Sequence, residues 1–363
     1  MGIKKINLKY QDLINIFFFL YLLFNFNKFI NDHSFLYIYK NEWSFSETFI
    51  NYSSGFVRRG LIGEIVELIK LPVDYILISS FIFYTISLFH IFFFLIKKLR
   101  KFSLSNQIVF LFSSFGFLYF VNNLNFFFGR RDLLILNLLI FISNNETKPY
   151  NNKKIITTII FSLFVSLNYE VILLFLPLIW FLLIKQNNDK KIVVNIYFLL
   201  LTSLNICLLI FYSRVEDFDN LCKNISFKRE MLNLNNAGCW GAPVYLSNSS
   251  FSTAINEVFL GLEKTGLSIW LILFLNLLLV MVYFLGLDLK QLLLIAPLFF
   301  LFFIAIDYGR WFFLIFSTSL IISEKYKNPS IKLNLFFGAI VLASYKFIDM
   351  PIYLFQEINY FNF

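Results

Sequence analysis

The chain has 363 residues, 59% of them apolar, with a mean hydropathy of +0.73 and a formal net charge of +9. A soluble domain is about 45–50% apolar, so the composition excludes a water-soluble globule and points to an all-α, polytopic transmembrane helix bundle. Nucleic acid is not indicated, because the basic residues are scattered between apolar runs as orientation-setting loop charge, and two histidines are too few for a histidine-built metal centre.

In chain order, Lys4, Lys5 and Lys9 precede an apolar run at about 13–30. That run lacks a small-residue cleavage site and is expected to be a first span, not a signal peptide. A more polar segment, 31–71, follows on the opposite side. Further membrane segments are expected at about 73–96, 104–122, 124–142, 155–169, 171–184 and 192–213. After a large loop at 214–266 come 267–286, 291–306, 311–323 and 332–348. That makes about eleven segments in one integral membrane domain, 1–363, several of them shorter than a full span.

With the N-terminus inside, the inner loops 1–12, 97–103, 143–154, 185–191, 287–290 and 324–332 hold 17 basic residues, 16 of them Lys. This satisfies the positive-inside rule. The stretch 155–184 has inner lysines at both ends and must enter and return, turning at Asn168-Tyr169-Glu170. The chain has 23 Lys and 8 Arg. Seven of those arginines, Arg58, Arg59, Arg130, Arg131, Arg214, Arg229 and Arg310, fall on the outer side, with Glu170, Asp132 and Asp307. Orientation alone would not place arginines there, so the outer face requires guanidinium specifically.

Four short stretches carry the chemistry. In NYSSGFVRRGLIGEI, Arg58 and Arg59 stand among Gly55, Gly60 and Gly63 at the start of an expected interfacial helix, whose face is Leu61, Ile65, Leu68 and Ile69. Glycines and paired arginines at a helix start suit an anion. The same arginines could instead meet lipid phosphates, Glu64 or Glu67. Gly129-Arg130-Arg131-Asp132 and Asp307-Tyr308-Gly309-Arg310-Trp311 repeat the Gly–Arg neighbourhood at two more outer helix starts. Their plain alternative is a local Arg–Asp pair in each. Glu170, at the tip of a membrane hairpin, is expected to face the bundle interior, as a proton acceptor or as an arginine's partner.

Cys222 and Cys239 lie in the large outer loop and form a candidate disulfide, with two unpaired thiols as the alternative. Cys207 lies in a span as a packing residue. No Walker loop, dinucleotide fingerprint or redox CxxC is present, so no cofactor is expected.

Arginine binds phosphate bidentately and stays charged when partly buried. Outer-leaflet substrates that need such a clamp are sugars carried on a polyprenyl phosphate or pyrophosphate. GFVRRGLIGEI, GRRD, the NYE hairpin, the loop cysteines and DYGRW, in this order, resemble the Wzy-type O-antigen polymerases, polytopic glycosyltransferases of GT-C-like character from surface-polysaccharide loci. The resemblance spans roughly 50–315. It implies a bacterial inner-membrane enzyme with a cytoplasmic N-terminus and a periplasmic active site. Such an enzyme joins undecaprenyl-pyrophosphate-linked repeat units into polymer, with membrane lipids and a chain-length regulator as partners. By that resemblance Arg58, Arg59, Arg130, Arg131 and Arg310 would hold the pyrophosphate. The catalytic acids, in order of preference, would be Glu170, Asp307 and Asp132. Members of that class often carry two large periplasmic loops, and here 31–71 is a weak second beside 214–266. The nearest alternative is a polyprenyl-monophosphate-dependent transferase or ligase, which would use an acid just after the first span: Asp32, Glu42 or Glu47. A lipid-linked oligosaccharide flippase is a third reading. It would need charge through the depth of the bilayer, and the span interiors offer almost none.

Overall fold

The computed structural model describes residues 45, 47–52, 60–99, 130–143, 152–186, 190–211, 217–231, 255–256, 258–260, 267–304 and 308–323. Among them all regular structure is helical, with no strand. Apolar runs surrounded by hydrocarbon must satisfy their backbone groups internally, and a helix does so within one segment. The runs expected at 13–30, 104–122 and 332–348 lie outside the described residues. So do Arg58, Arg59, Asp307 and Cys239.

The segment ahead of the first long helix contains a 3-10 turn, Glu47–Phe49, and helix α1, Leu61–Ile69. Then follow α2, Val73–Leu99, and α3, Asp132–Ser143. Helices α4, Asn152–Asn168, and α5, Ile172–Gln186, form the expected hairpin, and α6 is Lys191–Phe211. In the large loop lies α7, Phe218–Glu230. Helix α8, Leu267–Leu279, runs on into a π-turn, Val280–Phe284. Helix α9, Leu289–Ile295, continues through a 3-10 stretch into α10, Leu301–Ile304. The last described helix is α11, Tyr308–Ile322. Between α8 and α9 the chain reverses at Gly286, whose φ of 59° favours glycine. Asp288 then caps α9 in a reciprocal box with Gln291.

Helices α2 and α6 are long and apolar enough to cross a membrane. Large apolar side chains line their outward faces: Ile78, Ile82, Phe83 and Ile86 on α2, and Ile196, Leu199, Leu200 and Ile210 on α6. A helix that exposes such side chains along its length suits lipid, not water. Cys207 also lies exposed on α6 as a free thiol, and so does not pack in the core as the sequence suggested. Helices α3 and α11 occupy the centre. Leu133–Leu136 and Trp311–Phe316 are buried, and α3 packs against α2, α4, α5 and α11. Both are apolar over most of their surface, as a buried helix must be, although α11 also buries Ser317, Thr318 and Ser319.

The 12 described residues of α3 extend roughly 18 Å and the 15 of α11 roughly 22 Å. The 27 residues of α2 extend roughly 40 Å.

At one end of the bundle, Lys98 Nζ donates to the Ile321 carbonyl at 3.3 Å and Gln291 Nε2 to the Ile322 carbonyl at 3.2 Å. Ser323 Oγ donates to the Leu285 carbonyl at 2.6 Å. Lys154 and Lys290 stand over the rings of Phe141 and Phe181 at 5.3 Å and 5.2 Å. This is the end to which the sequence assigns the lysine loops. The opposite ends of α3, α4, α5 and α11 meet elsewhere, around arginines and carboxylates.

Candidate functional site

Four separate stretches converge at that second end: the 3-10 turn, the start of α3, the α4–α5 turn and the start of α11. Arg131, just before α3, makes three contacts. Its Nε lies 3.0 Å from Glu47 Oε2, Nη1 donates to the Asn168 carbonyl at 2.6 Å, and Nη2 donates to the Glu47 carbonyl at 2.9 Å. A planar guanidinium with a fork of donors can hold three acceptors at once, which a lysine ammonium could not do in this geometry. Arg131 thus joins the 3-10 turn to the hairpin tip.

Asp132 is 1% exposed. The Tyr169 hydroxyl donates to its Oδ1, and Arg310 Nε lies 3.0 Å from its Oδ2. Its position at the N-terminus of α3 adds the favourable end of the helix dipole to these partners. The Arg310 guanidinium also lies over the Trp311 ring, 4.3 Å from the centroid. Arg130 is buried beside Arg131, and Glu170 is half-buried at the hairpin turn.

Asn168 closes the group on the side of α1. Its side-chain oxygen accepts from Ile62 N at 3.3 Å, and its amide donates to the Phe164 carbonyl at 2.7 Å. Next to this contact, a Cβ on Gly63 would lie 2.1 Å from the Ile50 carbonyl oxygen, so only glycine allows α1 to sit so close to the segment ahead of it. Glu64 Oε2 accepts from Tyr52 N at 3.0 Å. Burial, and after it the Glu64 carboxylate, push the Tyr52 phenol above its ordinary range. The face expected to be interfacial is exposed in the protein, Leu68 at 76%, with Ile65 and Ile69 beside it. Helix α7 covers the first segment from outside: Leu221 and Ile225 are buried, and Lys228 pairs with Glu67 at 3.1 Å. Cys222, on α7, is disulfide-bonded.

Tyr84 is buried on α2, which packs against α3.

Three of the expected site arginines, Arg130, Arg131 and Arg310, are brought together with Asp132, and Glu170 follows Tyr169 on the same turn. Asp132 of the GRRD stretch pairs with Arg310 of the DYGRW stretch, across two helices far apart in sequence. Glu47 was singled out only as one of three acids after the first span, and its place at the centre of the cluster was missed. Tyr84, one of two tyrosines in the expected span 73–96, was not singled out. Comparison with known proteins returns no matching family model, no similar curated protein and no similar solved structure.

Proposed function

We propose that this chain is a membrane glycosyltransferase of the outer face, joining undecaprenyl-pyrophosphate-linked oligosaccharide repeat units into a surface polysaccharide. One observation carries the reading. Arg131 and Arg310, from separate helices, meet the carboxylates of Glu47 and Asp132 in one buried cluster at one end of the bundle. A lipid pyrophosphate leaving group needs clustered guanidinium groups in a site of low dielectric, and needs them on one side of the membrane.

In this reading the chain crosses the bacterial inner membrane about eleven times and its N-terminus is cytoplasmic. An acceptor sugar hydroxyl attacks the anomeric carbon of the donor glycan. The bond from that carbon to the pyrophosphate oxygen breaks, and the lipid pyrophosphate leaves with the electron pair. Glu170 takes the hydroxyl proton. Arg310, Arg130 and the pair Arg58-Arg59 stabilise the charge that develops on the leaving group. Arg131, with its guanidinium engaged three times, holds the walls of the site together. The step requires no cofactor.

A second reading has its own support. Glu47, an acid soon after the first expected span, is buried in the cluster. A transferase that uses a polyprenyl monophosphate to decorate a glycan would place its acid there.

A chromosomal deletion with surface glycolipid resolved on a gel tests both. A core capped by a single repeat unit supports the polymerase, and Arg310→Ala should copy it. A full ladder with altered sugar composition supports the decorating enzyme. Complete loss of repeat units sinks both in favour of flipping or an earlier step.

A further inference from the structure

We infer that Asp132 is the positioning residue of this site: it fixes the Arg310 guanidinium over Trp311 and locks the hairpin turn that carries Glu170. The inference rests on the glycosyltransferase reading for its consequence in catalysis, but not for its geometry.

Three observations carry it. Asp132 is enclosed, with 1% of its surface exposed, so a substrate hydroxyl has no approach to it. Its two oxygens serve different elements, Oδ1 accepting from Tyr169 on the α4–α5 turn and Oδ2 facing Arg310 on α11. Arg310 is the more exposed partner of that pair, at 13% against 1% for the Asp132 side chain. A carboxylate held at the Nε of an arginine orients the guanidinium. The Trp311 ring meets the same guanidinium in a cation–π contact. Tyr169 is adjacent to Glu170, so the same carboxylate sets the turn on which the proton acceptor stands.

The first measurement is ¹⁹F NMR of the full chain in lipid nanodiscs with 5-fluorotryptophan at all five tryptophans. Trp311→Phe assigns the Trp311 resonance. Arg310→Gln removes the cation above the ring and should shift that resonance alone. If Asp132 positions Arg310, Asp132→Asn shifts it in the same way. A Trp311 resonance unchanged in Asp132→Asn overturns the inference. Should Asp132→Asn fail to fold, Asp132→Glu keeps the charge but moves the carboxylate by one methylene, and the resonance must again shift.

The second measurement is turnover with a polyprenyl-pyrophosphate-linked oligosaccharide as a function of pH. Among the described residues, the charged and titratable groups around Asp132 are Arg310, Tyr169, Tyr84, Glu47, Arg130 and Arg131, and all remain in the variant. A positioning residue predicts that Asp132→Asn lowers kcat on the order of 10–100-fold and leaves the acidic limb of the profile in place. Loss of that limb would make Asp132 the base and overturn the inference. If the wild-type chain does not turn over this substrate, the functional reading fails, and the ¹⁹F result still decides whether Asp132 holds Arg310.

Discussion

At one end of the bundle Lys98 donates to a carbonyl, and Lys154 and Lys290 stand over aromatic rings. At the other end Arg131 and Arg310 meet carboxylates from distant parts of the chain. Lysine at a helix end can extend its ammonium toward water and lipid headgroups on a flexible stem. It sets orientation and asks little of its neighbours. Arginine in a buried site has to be met by several acceptors at fixed angles. One end is therefore tolerant of substitution and the other is not.

The largest effect should come from Arg131→Met. It leaves Glu47 buried without its ion partner and removes donors from two carbonyls. Breaking a buried pair on one side costs about 3–5 kcal/mol, so the variant's denaturation midpoint in detergent should fall sharply. The double variant Arg131→Met with Glu47→Leu should recover a substantial part of the loss, because no charge is then stranded. If the single variant melts like the wild type, the cluster is not a structural clamp.

Gly63→Ala comes next. The added methyl would stand 2.1 Å from the Ile50 carbonyl oxygen, a backbone atom, so α1 or the segment ahead of it must shift. Overpacking of this kind costs about 1–3 kcal/mol. The displacement should also release Ile62 N from Asn168, visible as faster amide exchange at Ile62. Unchanged exchange and an unchanged midpoint would mean that the two segments do not pack this closely.

The helical class, the hairpin turning at Asn168-Tyr169-Glu170, and the ends of α2 and α6 were all legible in the sequence. Long apolar runs with lysines at alternate ends leave few ways to thread a membrane. The pairing of Asp132 with Arg310 was not. It arises because α3 and α11 pack side by side, bringing together residues far apart in sequence.

At the tolerant end, Asp288→Ala should cost about 1 kcal/mol, the usual value of an N-cap. It removes the bond to Gln291 N at 2.8 Å and half of the reciprocal box. The effect should be a small drop in midpoint with no change in any function of the outer face. A loss of function without a loss of stability would show that the two ends are coupled.

The smallest effect belongs to Lys228→Met. Its pair with Glu67 lies on the outside of the cluster, with the Glu67 side chain 51% exposed, and exposed pairs contribute about 0–1 kcal/mol. Because α7 is also held by buried Leu221 and Ile225 and by the disulfide at Cys222, the ion pair is one of several attachments. Stability in detergent should not change measurably, and added salt should make no difference to the variant. Reduction of the disulfide together with Lys228→Met provides the sharper experiment. If α7 is kept in place chiefly by its apolar contacts, protease access to 217–231 stays at the wild-type level in the doubly altered protein. If access rises only when both are lost, the outer cover is held by polar and covalent ties, and the buried arginines can be uncovered without disturbing the helices on which they stand.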